Sequence, residues 1–161
     1  DIGASTGGFT DVLLHGGAAR VHAVDVGYGQ LAEKLRHDPR VAVHERVNAR
    51  SLGPAEVPEP VDLVVCDASF ISLRLVLPAA LALTKPAARL VALIKPQFEV
   101  GKGEVGKGGV VRDPAAHDRV CREIAGWLAS LPGWSVDGIV ESPITGPAGN
   151  REFLIGATRR P

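Results

Sequence analysis

The chain opens on "DIGASTGG", Asp1 to Gly8, an acidic residue followed by glycines at Gly3, Gly7 and Gly8 with Ser5 and Thr6 between them. Glycine lets a backbone turn tightly and approach a ligand closely. The run that follows, "GGFTDVLLHGG", carries Phe9, Val12 and Leu13 on one face and reads as a helix closing at Gly16 or Gly17. Its first N–H groups have no partner within the helix and point back at the turn. Such a turn belongs at the C-terminal end of a first strand, so the fold expected is one whose first strand is truncated here to its last residues.

Working outward, short runs rich in β-branched residues alternate with helix-like ones. "RVHAVDV", "VAVHER", "VDLVVCD", "RLVALIK", "WSVDGIVES" and "REFLIGAT" read as strands. "LRLVLPAALALT" reads as one helix between them, and "DPAAHDRVCREIAGWLASL" as another, with Asp113 as N-cap and Pro114 at its first position. The alternation implies an α/β fold of Rossmann-like type, a mostly parallel sheet with helices on both faces. Ligands bind such sheets where the strands end. Asp1 and the glycine turn, Asp25, Asn48, Asp67 and Lys95 all fall at successive strand ends, pointing to one crevice.

The glycine spacing is G-x-x-x-G-G, not the G-x-G-x-x-G of a dinucleotide site. Asp25, about 20 residues beyond the turn, has the spacing of a carboxylate that accepts from ribose hydroxyls. Asp1 at the head of the turn suits a ligand with a positive amino group better than a pyrophosphate. The ligand that combines an adenosine with such a group is S-adenosylmethionine. Asp1, Gly3, Ser5, Thr6, Gly7 and Gly8 would then hold its methionine end, Asp25 the ribose, Asn48 the adenine, and Asp67 the far wall.

Composition limits the alternatives. With 161 residues, 45% hydrophobic and 22% charged, the chain fits one domain with a sizeable core. Its longest apolar runs fall far short of the roughly 20 residues of a membrane span, and no secretory signal is visible, so the expected location is the cytoplasm. Cys66 and Cys121 have no ligand or disulfide spacing, the five histidines have no partner spacing, and no metal site is expected. Formal charge is zero overall, but residues 1–66 hold 6 Lys+Arg against 9 Asp+Glu and residues 67–161 hold 12 against 9. An anionic substrate favours the second half.

That half contains "GKGEVGKGG". Gly101, Gly106 and Lys107 approach a phosphate-binding P-loop, yet Gly108 stands where Ser or Thr should hold magnesium, and "GGVVRDP" cannot continue as the required helix. Two readings stay open: a substrate flap whose Lys102, Lys107 and Arg112 meet phosphates, or a solvated surface loop.

Six separated stretches, "DIGASTGGFTDVLL", "AVDVGYGQL", "LRHDPRV", "VNAR", "CDASFISL" and "LIKPQFEVGK", together resemble the TlyA (haemolysin A) family of ribosomal RNA 2′-O-ribose methyltransferases, within the FtsJ-like group. The resemblance runs along nearly the whole chain. It implies an S-adenosylmethionine-dependent methyltransferase fold, methylation of cytidine 2′-hydroxyls, and ribosomal RNA or ribosomal subunits as partner. It also implies a small S4-like RNA-binding domain ahead of Asp1. The FtsJ-like Lys-Asp-Lys-Glu tetrad carries over onto Asp67, Lys95 and Glu152, with its first lysine falling before Asp1.

The chemistry favours those residue types. A ribose 2′-hydroxyl must lie in line with the transferred methyl and lose its proton as it attacks. A lysine can take that proton only if desolvation or a neighbouring cation draws it from about 10.4 towards neutrality. Carboxylates from Asp67 and Glu152 would favour the protonated form and the tetrad's first lysine would restore a neutral one; without that lysine, Lys95 is expected to orient the hydroxyl more than to deprotonate it. "DASF" superficially resembles the D/N-P-P-Y/F motif of base amino methyltransferases, but both prolines are missing. A cytosine C5 mechanism has no nucleophile, since Cys66 precedes Asp67 and points to the other face of its strand. From another class, a non-catalytic RNA-binding module retaining the cofactor fold also fits; a membrane-lytic protein lacks any cationic amphipathic helix.

Overall fold

The computed structural model describes all 161 residues. In chain order the elements are α1 (Gly8–His15), β1 (Val21–Val24), α2 (Glu33–Arg36), β2 (Val41–His44), β3 (Val61–Cys66), α3 (Leu73–Val76), α4 (Pro78–Leu81), β4 (Thr84–Ile94), α5 (Pro114–Ser130), β5 (Trp134–Glu141) and β6 (Phe153–Arg159). β1 pairs parallel with β2, β3 pairs parallel with β4, and β6 runs antiparallel between β4 and β5.

Ile2 joins the two halves. It forms parallel bridges to both Val24 and Cys66, its N–H donating to the Val65 carbonyl at 2.8 Å while Val24 donates to the Asp1 carbonyl at 2.9 Å. The order is therefore β2-β1-Ile2-β3-β4-β6-β5.

Alternation along the strands feeds two cores. Val21 and Ala23 of β1 pack with Leu14, Leu31 and Leu35, on the side of α1 and α2. Val24 joins the larger core, with Leu90, Ala92 and Ile94 of β4 and Val120, Ile124 and Leu128 of α5. α5 begins as its sequence demands, Asp113 accepting from the Ala115 N–H at 3.0 Å with Pro114 next. Its buried Ala116, Val120, Ile124 and Leu128 recur every four residues. Trp134 is buried and Trp127 packs against the same core. Cys66 is fully buried, which pushes its thiol up to about 12; burial moves half-buried Cys121 to about 11.

The helix expected from Leu73 to Thr84 is instead two short ones. Pro78 has no N–H to donate into the preceding turn and starts α4 as its first residue. Thr84 already belongs to β4, which is longer than "RLVALIK" indicates because Thr84 pairs with Val61 across an irregular register. α2 was not anticipated at all; four residues are too few to show helical periodicity.

Gly3 sets the approach of the turn to β3. Its φ is +75°, and a Cβ there would lie 2.4 Å from the Asp67 carbonyl oxygen. Gly3→Ala should therefore lower stability by more than about 1 kcal/mol, since both backbone strain and a backbone clash oppose it. A urea denaturation midpoint equal to that of the wild type would refute this.

Candidate active site

Because the parallel strands point one way, the Asp1–Gly8 turn and the segments after β1, β2, β3 and β4 emerge at one end of the sheet. β6 runs antiparallel, pairing Phe153 with Ile94, so the loop before it joins them. Of the five non-glycine residues in the left-handed region, Ser5 (φ 50°), Arg46 (φ 53°), Phe70 (φ 63°) and Ala148 (φ 60°) sit in these segments, while Ala87 (φ 65°) lies near the start of β4. Each costs roughly 1–3 kcal/mol of backbone strain.

The turn and β1 form one half of the site. Asp1 Oδ2 accepts from the Thr10 hydroxyl at 2.7 Å, while Asp1 Oδ1 is buried without a partner. A buried carboxylate oxygen with open valence fits a cationic amino group, as the sequence analysis expects of S-adenosylmethionine. Asp25 reaches the same turn: its Oδ2 accepts from the Ser5 N–H at 2.7 Å and its Oδ1 from the Gly27 N–H at 2.8 Å. Each oxygen keeps a second lone pair for a hydroxyl donor. Asp25 lines a small cleft with Ala4, Ser5, Gln30 and Glu45. Ser5, Thr6 and Gly8 are exposed, and Gly7 is buried. Asn48 is exposed and uses its side-chain oxygen to cap the turn Ala49–Ser51, accepting from the Arg50 N–H at 3.0 Å.

Asp67 belongs to both halves, its N–H bonded to the Ile2 carbonyl at 3.0 Å. Lys95, buried at the end of β4, places Nζ 2.6 Å from Asp67 Oδ1 and donates to Ser69 Oγ at 3.1 Å. Glu152 is also buried. Glu152 forms no ion pair with Lys95, and Oε2 instead accepts from Gln97 Nε2 at 3.0 Å. β6 delivers the glutamate beside the segment after β4, so the residue two beyond Lys95 meets it. The nearby arginines pair elsewhere, Arg151 with Glu141 at 2.6 Å and Arg159 with Thr84.

The sequence reading missed what surrounds these groups. Phe70 is 89% exposed beside Ser69, its ring 4.9 Å from that of Phe98. Glu99 accepts from the Ser72 hydroxyl at 2.6 Å and the Leu73 N–H at 2.8 Å, fixing the Asp67–Ser72 loop at the start of α3; burial raises its carboxyl above the usual range. An exposed aromatic after a strand-ending aspartate was a signal available in "DASF"; the Glu99 contact spans 26 residues and was not.

The flap from Gly101 to Arg112 is tied at its base. Buried Asn150 accepts from the Val111 N–H at 3.0 Å and donates to the Gly109 carbonyl at 2.9 Å, while His117 Nε2 lies 2.7 Å from the Val111 carbonyl. Glu104 pairs with Arg119 farther out. Lys102 and Lys107 stay exposed, and Arg112 donates to the Lys107 carbonyl at 3.4 Å. No three His, Cys, Asp or Glu side chains form a metal-ligand set; His22 and His44 face each other, Nδ1 to Nε2, at 3.0 Å.

The FtsJ-like methyltransferase family model matches residues 1–159. The chain belongs to that family. This FtsJ-like chain is 56% identical over 155 residues to the 16S/23S rRNA (cytidine-2′-O)-methyltransferase TlyA of Mycobacterium tuberculosis, covering 96% of the chain and 58% of that relative. It thus spans little more than half the relative's length. A Streptococcus thermophilus structure described as a hemolysin superposes with a TM-score of 0.93 at 45% identity, covering 99% of this chain and 58% of the other. A Bacillus cereus O-methyltransferase in complex with SAH superposes at 0.67 and 21% identity, covering 98% and 72%; that likeness establishes the Rossmann-like methyltransferase fold. No helix of this FtsJ-like chain is long and apolar enough to cross a membrane.

The Asn150 contacts predict a local effect. Asn150→Ala leaves the buried Val111 N–H without a partner, at a cost of about 1–3 kcal/mol. Hydrogen exchange at the Val111 and flap amides should quicken while α5 stays protected; unchanged flap exchange would show that Asn150 does not hold it.

Proposed function

We propose that this domain transfers a methyl group from S-adenosylmethionine to a ribose 2′-hydroxyl, that of cytidine in ribosomal RNA, in the cytoplasm. One observation carries the reading: a buried lysine, Lys95, held by Asp67 and Ser69 at a strand end that also meets the glycine turn. The relative named a cytidine-2′-O-methyltransferase supports the substrate.

S-adenosylmethionine supplies an electrophilic methyl on a sulfonium. Asp1, with its open oxygen, holds the amino group; Gly3, Ser5, Thr6, Gly7 and Gly8 let the backbone close around the methionine end; Asp25 takes the ribose, and Asn48 lies by the adenine. Protonated, Lys95 donates to Ser69 and lies in ion-pair contact with Asp67, and an ammonium's three donors leave one for a substrate oxygen. The 2′-oxygen takes that donor, so Lys95 orients the hydroxyl, whose proton passes to solvent water as the O–C bond forms and the methyl's bond to sulfur breaks. Glu152 completes the wall. Phe70 offers a face on which the target base stacks. Lys102, Lys107 and Arg112 meet phosphates. A further lysine and an S4-like RNA-binding domain preceding Asp1 would complete the tetrad and the grip on RNA.

The test uses the full-length protein with ribosomal subunits lacking the modification. Lys95→Ala should lower turnover roughly 10²–10⁴-fold with cofactor affinity intact, because its contact matters chiefly in the transition state. Lys95→Arg should fail to restore it, since guanidinium keeps the charge but neither the geometry nor an exchangeable proton at neutral pH. Mass spectrometry of digested RNA should find the methyl on ribose; a methylated base with an active Lys95→Ala variant overturns the reading.

Titration calorimetry and binding isotherms should separate the two halves. Asp25→Ala should weaken cofactor binding by about 1.5–3 kcal/mol, the worth of a hydrogen bond to a charged group, and leave RNA affinity alone. Alanine at Lys102, Lys107 and Arg112 should do the reverse, flattening the salt dependence of RNA binding by up to about three phosphate contacts. A salt slope equal to wild type would return the flap to ordinary surface.

A further inference from the structure

We propose that Gln97 is the positioning residue for Glu152, and that Gly146 is glycine to leave room for the carboxylate so placed. The inference rests on the methyl-transfer reading above, in which Glu152 belongs to the site.

Three observations meet at this point. Gln97 Nε2 donates to Glu152 Oε2 at 3.0 Å, and no other side chain hydrogen-bonds or ion-pairs with Glu152. Gln97 Oε1 is buried and has no partner. Leaving a buried acceptor unpaired is costly, so this amide is not explained by packing; its donor end is what the site uses. The third observation is Gly146. Its φ of −75° and ψ of −178° are open to any residue, so its backbone conformation does not call for glycine. A Cβ built there would lie 2.4 Å from Glu152 Oε2 and 2.7 Å from its Cδ. The carboxylate rests on the space where a side chain would be.

Chain geometry explains why the link is needed. Glu152 does not touch Lys95, yet Gln97 lies two residues beyond it, on the turn Pro96–Phe98 whose start is fixed by the Lys95–Asp67 pair. Gln97 thereby registers the carboxylate from β6 against the lysine from β4. A glutamate's side chain has several rotatable bonds, and without that amide its carboxylate has no side-chain hydrogen bond to hold it.

The experiment measures single-turnover and steady-state methylation of ribosomal subunits by the full-length protein, with Gln97→Glu, Gln97→Ala, Gly146→Ala and Lys95→Ala alongside wild type. Gln97→Glu keeps shape but sets a second carboxylate against Glu152. The rate constant should fall tenfold or more with KM for RNA and cofactor affinity within twofold. The deficit relative to wild type should shrink as pH is lowered from about 8 to about 6, where the pair shares a proton and the donor returns. Gly146→Ala should give a comparable loss without any change at residue 97. Thermal melts identify any variant that has lost its fold, and the remaining one then decides. If Lys95→Ala is inactive while the folded variants at 97 and 146 turn over like wild type at every pH, the positioning role is overturned and the methyl-transfer reading stands. If Lys95→Ala is active, the reading itself has failed.

Discussion

The pairing of Ile2 between Val24 and Cys66 joins the glycine turn to the ends of β1 and β3. Through it the glycine turn, the end of β1 and the end of β3 become one surface, with Asp67 bonded to the Ile2 carbonyl and Gly3 pressed against the Asp67 carbonyl. The two halves of the candidate site are thus coupled by backbone hydrogen bonds.

The second organising feature is the five-residue segment "KPQFE", Lys95 to Glu99. Lys95 meets Asp67 and Ser69, Gln97 meets Glu152, Phe98 lies against Phe70, and Glu99 caps the start of α3. A strand followed by a tight 3-10 turn splays successive side chains in different directions, so one short segment reaches three other segments. Within this network Gln97 Oε1 is buried without a partner, and removing one of the groups that are paired strands another.

The edge facing the proposed RNA is built differently. The flap is long, glycine-rich and exposed, fixed only at its base by Asn150 and His117 and farther out by Glu104 with Arg119. A packed floor around Lys95 beneath a flap tethered at its base suits the proposed RNA substrate, a large polyanion that needs accurate placement at one atom and tolerance elsewhere. Phe70, exposed and strained between the two, stands where floor and substrate meet.

Local sequence determined the elements whose signals are local: the glycine turn, the alternation of strand and helix, the Asp113-Pro114 start of α5, and the strand-end positions of Asp25, Asp67 and Lys95. Periodicity and capping act within a few residues, so they are legible without a structure. The break at Pro78 was also local, but the apolar run on either side concealed it. Tertiary structure alone decided the partner of Glu152, the capping of α3 by Glu99 and the clamp on Val111, because each joins segments 26 to 55 residues apart. Antiparallel β6, wedged between β4 and β5, brings Glu152 to the active end of the sheet, and its register against Ile94 leaves the carboxylate beside Gln97 rather than Lys95. Strand order and register arise from burial over the whole core, which no single stretch of the sequence encodes.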